Sequence, residues 1–311
     1  MTTLKINKRR TMLEDPTRQA GNRRRAIANL RKRLDGAKKE IFKIVDSISV
    51  RVSANNSIIN NRTTYIWDMS PERQSEVDSI IRQTIDRWLA TQTPERPARW
   101  FFTTYMSDAT EPAAADALNN IKLLGEGMQS SAEMDAVTLR SIFQEPRYRS
   151  VIENIYGRAF NEMKGFSGDT ATDLNDAVML GKSPRDAQRD IAKRFDVSDS
   201  RAERIARTEI NRGYTVSRVK AAKEVATKLD LDVRVLHRSS LMISTRKWHA
   251  ARHGKVFTFQ EQDDWWADGT NRINCLCSIA EVVVRPNGEI RSRGLAKKLE
   301  AQRLIWQGLN G

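Results

Sequence analysis

Across 311 residues, the two-residue alternation that marks a half-buried strand is confined to the region after residue 230. "LDVRVL" sets Leu231, Val233 and Val235 on one face, and "CSIAEVVV" alternates again before "RPNGEI". The Asn287-Gly288 pair in that last stretch is a hairpin turn, because both residues accept the positive φ such turns require. Wherever the earlier sequence is regular, its apolar residues recur at intervals of three and four, which is helical spacing. The fold class is therefore α+β: mostly helical N-terminal and middle regions, with a small antiparallel β-sheet in the C-terminal domain.

The helices can be placed from their apolar faces and their ends. In "NRRRAIANLRKRLDGAKKEIFKIVDSI", Ile27, Leu30, Leu34, Ile41, Ile44, Val45 and Ile48 share one face, and Gly36 is expected to bend or weaken the helix. "SANNSIINNRTTYIWDM" reads as a loop or short hairpin. Ser70 and Pro71 supply an N-cap and a first helical position for a helix burying Val77, Ile80, Ile81, Ile85, Trp88 and Leu89. The two prolines of "TQTPERPAR" end it, and further helices are expected over 110–125, 130–143 and 147–163. "KGFSGDTATD" reads as a domain boundary. Beyond it Ser183-Pro184 opens one helix, and Ser200 with Glu203 forms a capping-box pattern that opens the next. The expected division is a basic helical arm over 1–68, a helical region over 69–165, a C-terminal domain over 166–285 and a basic tail over 286–311.

Charge is distributed unevenly. Residues 1–50 hold 14 Lys/Arg against 5 Asp/Glu, residues 51–150 hold 11 against 13, and the remainder 28 against 21. A basic head and tail around a near-neutral middle suggest a polyanionic partner, most simply nucleic acid. Arg23, Arg24, Arg25, Arg31, Lys32, Arg33, Lys38 and Lys39 would then face phosphate, although an ordinary solvated amphipathic helix has the same pattern. No run approaches the roughly 18 apolar residues of a membrane span, and the N-terminus lacks a signal peptide's apolar core, so a cytosolic product without a membrane partner is expected. "GKS" at 181–183 has no upstream glycine and is followed by Pro184, which excludes a Walker phosphate loop.

Polar chemistry concentrates in "STRKWHAARHGKVFT" and "NCLCS". On a helix His249 and His253 share a face, and with Cys275 and Cys277 they would make a His2Cys2 set suited to tetrahedral zinc. The alternative is local hydrogen bonding by the histidines and two cysteines acting as small buried apolar groups, with no cofactor. The cysteines are one residue apart, where a mutual disulfide would be strained. A metal-dependent nuclease would draw on His249, His253 and the acids Glu261, Asp263 and Asp264, but the glutamate that lies between the two histidines of a zinc protease is missing. Arg207, Thr208 and Glu209 form another polar knot, read as a buried Arg–Glu network bracing helix against sheet.

Taken together, "SPRDAQRDIAKRFDVSDSRAERIARTEINRGY", "STRKWHAARHGKVFT", "DDWW" and "NCLC" resemble the phage Mu F-like, or phage head morphogenesis, family over about residues 170–285. The resemblance implies a minor head protein of a tailed bacteriophage and not an enzyme. Such a protein is present in the procapsid in a few copies, meets the portal and other head proteins at the portal vertex, and supports head assembly, DNA packaging or ejection. It further implies localisation to the virion, and to the host cytoplasm during assembly. Arg207, Thr208, Glu209, Thr245, Arg246, His249, Gly254, Cys275 and Cys277 fall on its signature positions. Two departures stand out: Leu276 replaces the arginine of "C-R-C", and Ser244 replaces an acid before the "T-R" pair.

Overall fold

The computed structural model describes residues 15–53, 63–89, 99–125, 169–291 and 293–310. They gather into two compact units, each discontinuous in sequence: a helical unit of residues 25–103 and 169–205, and a sheet unit of residues 15–24, 104–125 and 206–310. The helices expected over 130–143 and 147–163 lie outside the described residues, as does most of the "TQTPERPAR" break.

The helical unit is assembled along apolar seams. Helix α1 (Ala20–Asp46) buries Leu30, Leu34, Ile41 and Val45 as its spacing predicts, with Ile27 and Ile44 half-buried beside them and Ile48 buried just past its end. Each buried aliphatic side chain contributes on the order of 2 kcal/mol. Gly36 does not break the helix. A Cβ there would lie 2.5 Å from the Trp88 ring, so glycine is what allows the indole to rest on the backbone. Around the stretch read as a loop or short hairpin, β1 (Val50–Val52) and β2 (Tyr65–Trp67) pair antiparallel, with Val50 opposite Trp67. Helix α2 (Pro71–Leu89) starts where expected, with Ser70 Oγ accepting from Arg73 N–H at 3.3 Å. Its buried face holds Val77, Ile81, Thr84, Ile85 and Leu89, whereas Ile80 is exposed and Trp88 half-buried. A helix over residues 169–179 is closed by Gly181 at φ 59°, whose carbonyl accepts from Tyr65 N–H.

The capping-box reading of Ser200 is overturned. Residues Pro184–Lys228 form one helix of 45 residues. Ser183 caps it, accepting from Asp186 N–H at 3.1 Å. Proline is absent after its first residue, and apolar residues on both sides of Ser200 (Ile191, Phe195, Ile205) are buried. That burial outweighs the roughly 1 kcal/mol to be gained by capping a new helix at a serine.

In the sheet unit a turn of π-helix (Phe102–Met106) leads into a helix over Ser107–Gly125. The sheet has the order β4-β3-β5, all antiparallel, from β3 (Val233–Arg238), β4 (Val256–Phe257) and β5 (Ser278–Val283). Val233 pairs with Val283 and Arg238 with Ser278. Strand β5 is buried at every position rather than alternately. Val233 and Val283 pack with Leu118, Ile121, Ala222 and Val225 of the two long helices, while Leu236, Ala280 and Val282 pack with Leu299 of the C-terminal helix, Arg293–Asn310. Covering both faces makes a strand read as apolar throughout. The Asn287-Gly288 turn forms, with Gly288 at φ 79° and its N–H bonded to Arg285 O at 2.8 Å.

Candidate functional site

The candidate site lies wholly within the sheet unit. A short helix, Lys247–Arg252, carries His249 on its buried side, and the two cysteines sit on the turn between the Gly269–Arg272 helix and β5. Asn274 begins that turn at φ 55°, a conformation asparagine tolerates better than most residues. The long helix then pins it. Thr208 Oγ1 accepts from Asn274 N–H at 2.9 Å, and Asn211 Nδ2 donates to the carbonyls of both Cys275 (2.9 Å) and Cys277 (3.0 Å). Cys277 N–H points back at Cys275 Sγ, 3.3 Å away. These constraints bring His249 Nδ1 to 3.3 Å from Cys277 Sγ and 3.6 Å from Cys275 Sγ, with all three donor atoms within 4.8 Å of one another.

Arg246 fixes the imidazole from the other side. Its guanidinium donates to Thr270 O (2.8 Å) and Ile273 O (2.9 Å), and Nη1 lies 3.3 Å from His249 Nε2. A donor at Nε2 leaves the proton of the neutral ring on Nδ1, aimed at the sulfurs. Hydrogen bonding from Cys277 and from His249 holds the Cys275 thiol well below its ordinary range. The Cys277 thiol is pushed up by donating to Cys275 and by burial, so the two thiols titrate as a coupled pair. The edge of Trp265 closes the floor, its ring 4.7 Å from His249 and 4.9 Å from His237. Above the three donors lies a pocket of about 130 Å³, lined also by Arg207, Ser240, Thr245, Arg246, Asn274 and Leu276.

His253 stands apart from this set. The helix ends at Arg252, so His253 is its C-cap with ψ 123°, and Gly254 follows at φ 78°. Spacing of i and i+4 places two residues on one face only while the helix lasts. His253 Nδ1 accepts from Ser239 N–H at 2.9 Å, which leaves Nε2–H for Gln302 Oε1 at 3.3 Å. Burial, followed by the charges of Arg238 and Arg303, lowers its pKa to about 4. Gly254 has no alternative in side-chain size: a Cβ would sit 2.9 Å from Leu299 Cβ and from Glu300 N.

The remaining signature residues are structural supports. Thr245 Oγ1 meets Ser240 Oγ at 3.3 Å. Glu209 pairs with Arg212 along its own helix at 3.5 Å. The helix is tied to the sheet by a pair the sequence reading missed. Arg218 grips the fully buried Glu281 through two bonds of 2.7 and 2.8 Å, Asn120 Nδ2 adds a third at 2.9 Å, and Arg218 Nη1 also donates to Tyr214 OH. Asn211 and His237 were missed too. Asn211 gives a faint signal, since asparagine is a poor helix former in mid-helix. His237 is wholly buried against Gln262 and Trp265, with its pKa pushed down to about 3 by desolvation.

The acids that a nuclease would recruit are committed elsewhere. Glu261 completes a capping box with Thr258, Asp263 pairs with Lys223 at 2.7 Å, and Asp264 accepts from Gln260. Among the described residues the cluster of potential metal donors is His249, Cys275 and Cys277, without a carboxylate. Along α1, Arg24, Arg25, Arg31, Lys32 and Lys39 are exposed. Arg23 is buried against Asp15 at 2.7 Å, Arg33 donates to Trp88 O and stacks on Trp100, and Lys38 lies 3.4 Å from Asp35.

No curated protein and no solved structure matches the chain. The family model for phage Mu protein F like protein matches residues 169–280, the segment that contains the pinned cysteine turn and the His249 helix, and it supports the phage Mu F-like family as the one this segment resembles.

Proposed function

We propose that the protein is a minor head protein of a tailed bacteriophage. Its C-terminal domain docks on the portal or a neighbouring head protein, and its basic segments lie beside packaged double-stranded DNA. The observation that carries this reading is the family match over residues 169–280. The commitment of the signature polar residues to internal bonds fits a module that holds its shape and performs no turnover. The six exposed cations of α1, Lys43 included, suit contact with phosphate, which positions a protein without reading sequence. The division into a basic arm, a helical region, a family domain and a basic tail belongs to the same proposal, as do a place in the virion and a role in packaging or ejection. Among the described residues no helix is long and apolar enough to cross a membrane.

Two measurements test the reading. Mass spectrometry of purified particles should find the chain at a few copies, and it should co-purify with the portal ring; absence from particles removes the head-protein assignment. DNA binding by the full chain should weaken steeply with salt, by about 0.9 decades in affinity per decade of salt for each phosphate neutralised. Salt-insensitive binding removes the phosphate-contact half.

A further inference from the structure

We infer that His249, Cys275 and Cys277 form a three-donor zinc site whose fourth coordination position opens into the pocket beside Ser240 and Thr245. Ordinary Zn–S and Zn–N bond lengths at tetrahedral angles put a sulfur and a nitrogen ligand about 3.5 Å apart. The two N···S separations here are 3.3 and 3.6 Å. The two N···S separations therefore match edges of such a tetrahedron, and the two sulfurs lie within 4.8 Å of each other, although the donors come from two separate stretches of chain.

Three further features fit a metal better than a bare Cys–His contact. The Cys277 N–H directed at Cys275 Sγ is the outer bond that steadies a metal thiolate, and Asn211 holds both cysteine carbonyls so that a one-residue gap can present two sulfurs together. Two thiolates and one neutral imidazole offset a divalent charge in a place where burial leaves little water to do so. Two sulfurs and one nitrogen, with no oxygen donor among the described residues of the cluster, select a soft or borderline ion over magnesium or calcium.

On binding, two Sγ–Zn bonds and one Nδ1–Zn bond form and any thiol protons pass to solvent. The ring proton moves from Nδ1 to Nε2, so Arg246 gives up its 3.3 Å contact there while keeping its two carbonyl bonds. Because all three donors line the pocket, a water or a donor atom from a docked protein can complete the shell.

The test uses the full chain, reduced, stripped with chelator and reloaded with zinc or cobalt(II). About one metal per chain is expected, and the cobalt form should show thiolate-to-metal charge-transfer absorption with a tetrahedral ligand-field band. His249→Gln and Cys275→Ser should each weaken zinc binding at least tenfold, whereas His253→Gln should leave it unchanged. A folded wild-type chain that takes up neither metal overturns the inference, as does a Cys275→Ser/Cys277→Ser chain that binds zinc like the wild type. Loss of metal in His253→Gln equal to that in Cys275→Ser overturns the three-donor assignment. The cobalt spectrum of the wild type reports thiolate ligation even if a variant fails to fold. The site does not depend on the head-protein reading, since metal content and particle incorporation are measured separately.

Discussion

The two units solve the same problem with opposite materials. In the helical unit the buried side chains are Leu30, Leu34, Ile41, Ile81, Ile85 and their like, and the buried polar residues among those described are Thr84 and Thr170. The sheet unit buries Asn211, Thr215, Arg218, His237, His249, His253, Gln262, Arg272 and Glu281 among others. An apolar seam stabilises by area and tolerates exchange of one aliphatic group for another. A buried polar network adds little net stability but permits few alternative arrangements, and it fails badly when one member is removed. The unit that carries the candidate site is thus the one whose geometry is most tightly specified.

That contrast can be broken most sharply at Glu281. Glu281→Ala leaves Arg218 buried without its carboxylate and should cost about 3–5 kcal/mol in urea unfolding of the full chain. A loss under about 1 kcal/mol would mean that the network is decorative. In the helical unit the comparable lesion is apolar: Leu34→Ala, at 1% exposure, should cost about 3 kcal/mol through lost burial and a cavity. Leu34→Met should cost much less, whereas a conservative Arg218→Lys should still be severe because it forfeits the two-pronged bond.

The two units should also part company in acid. His237 and His253 have folded-state pKa values of about 3 and about 4, below the ordinary 6.5, so the unfolded chain binds protons that the folded chain refuses. Their contribution is whole above about pH 6.5 and falls as pH drops toward about 4. Each ring should cost about 2 kcal/mol at pH 5 relative to neutral pH. Denaturant midpoints measured between pH 7 and 5 check this, and His253→Gln should flatten the slope. Beyond burial, His253 is lowered by Arg238 and Arg303 and His237 by Arg252, His249 and His253, against which the bonds to Gln302 and Gln262 work in the raising direction. The smallest effect is expected at the helical unit's surface. Arg87→Ala breaks an exposed pair with Glu40 and should shift stability by less than about 1 kcal/mol, an amount that added salt should erase.

Much of the helical unit was legible because its determinants are local. Apolar residues three and four apart, Pro71 after Ser70 and Pro184 after Ser183 locate helices whatever surrounds them. Local signals misled where distant packing outweighed them. Ser200 and Glu203 offer a helix start, but buried residues on both sides keep the helix running. Gly36 offers a weak point, but the Trp88 ring occupies the space it leaves. In the candidate site, residue types were legible and membership was not. His249, Cys275 and Cys277 converge because Thr208 and Asn211, more than sixty residues earlier, pin the cysteine turn. His253 stays out because its helix stops one residue short.

By itself the sequence determined the fold class, the late antiparallel sheet, the Asn287-Gly288 turn and the concentration of polar chemistry around residues 244–277, all of which follow from periodicity, turn preference and residue type within a short window. Only the tertiary structure decided that Arg218 and Glu281 hold the sheet to the helix, that one long helix replaces two, and that three donors meet while a fourth turns away. Those outcomes depend on desolvation and on hydrogen-bond partners remote in sequence, and a buried polar group acquires its energy only when its partner is in place.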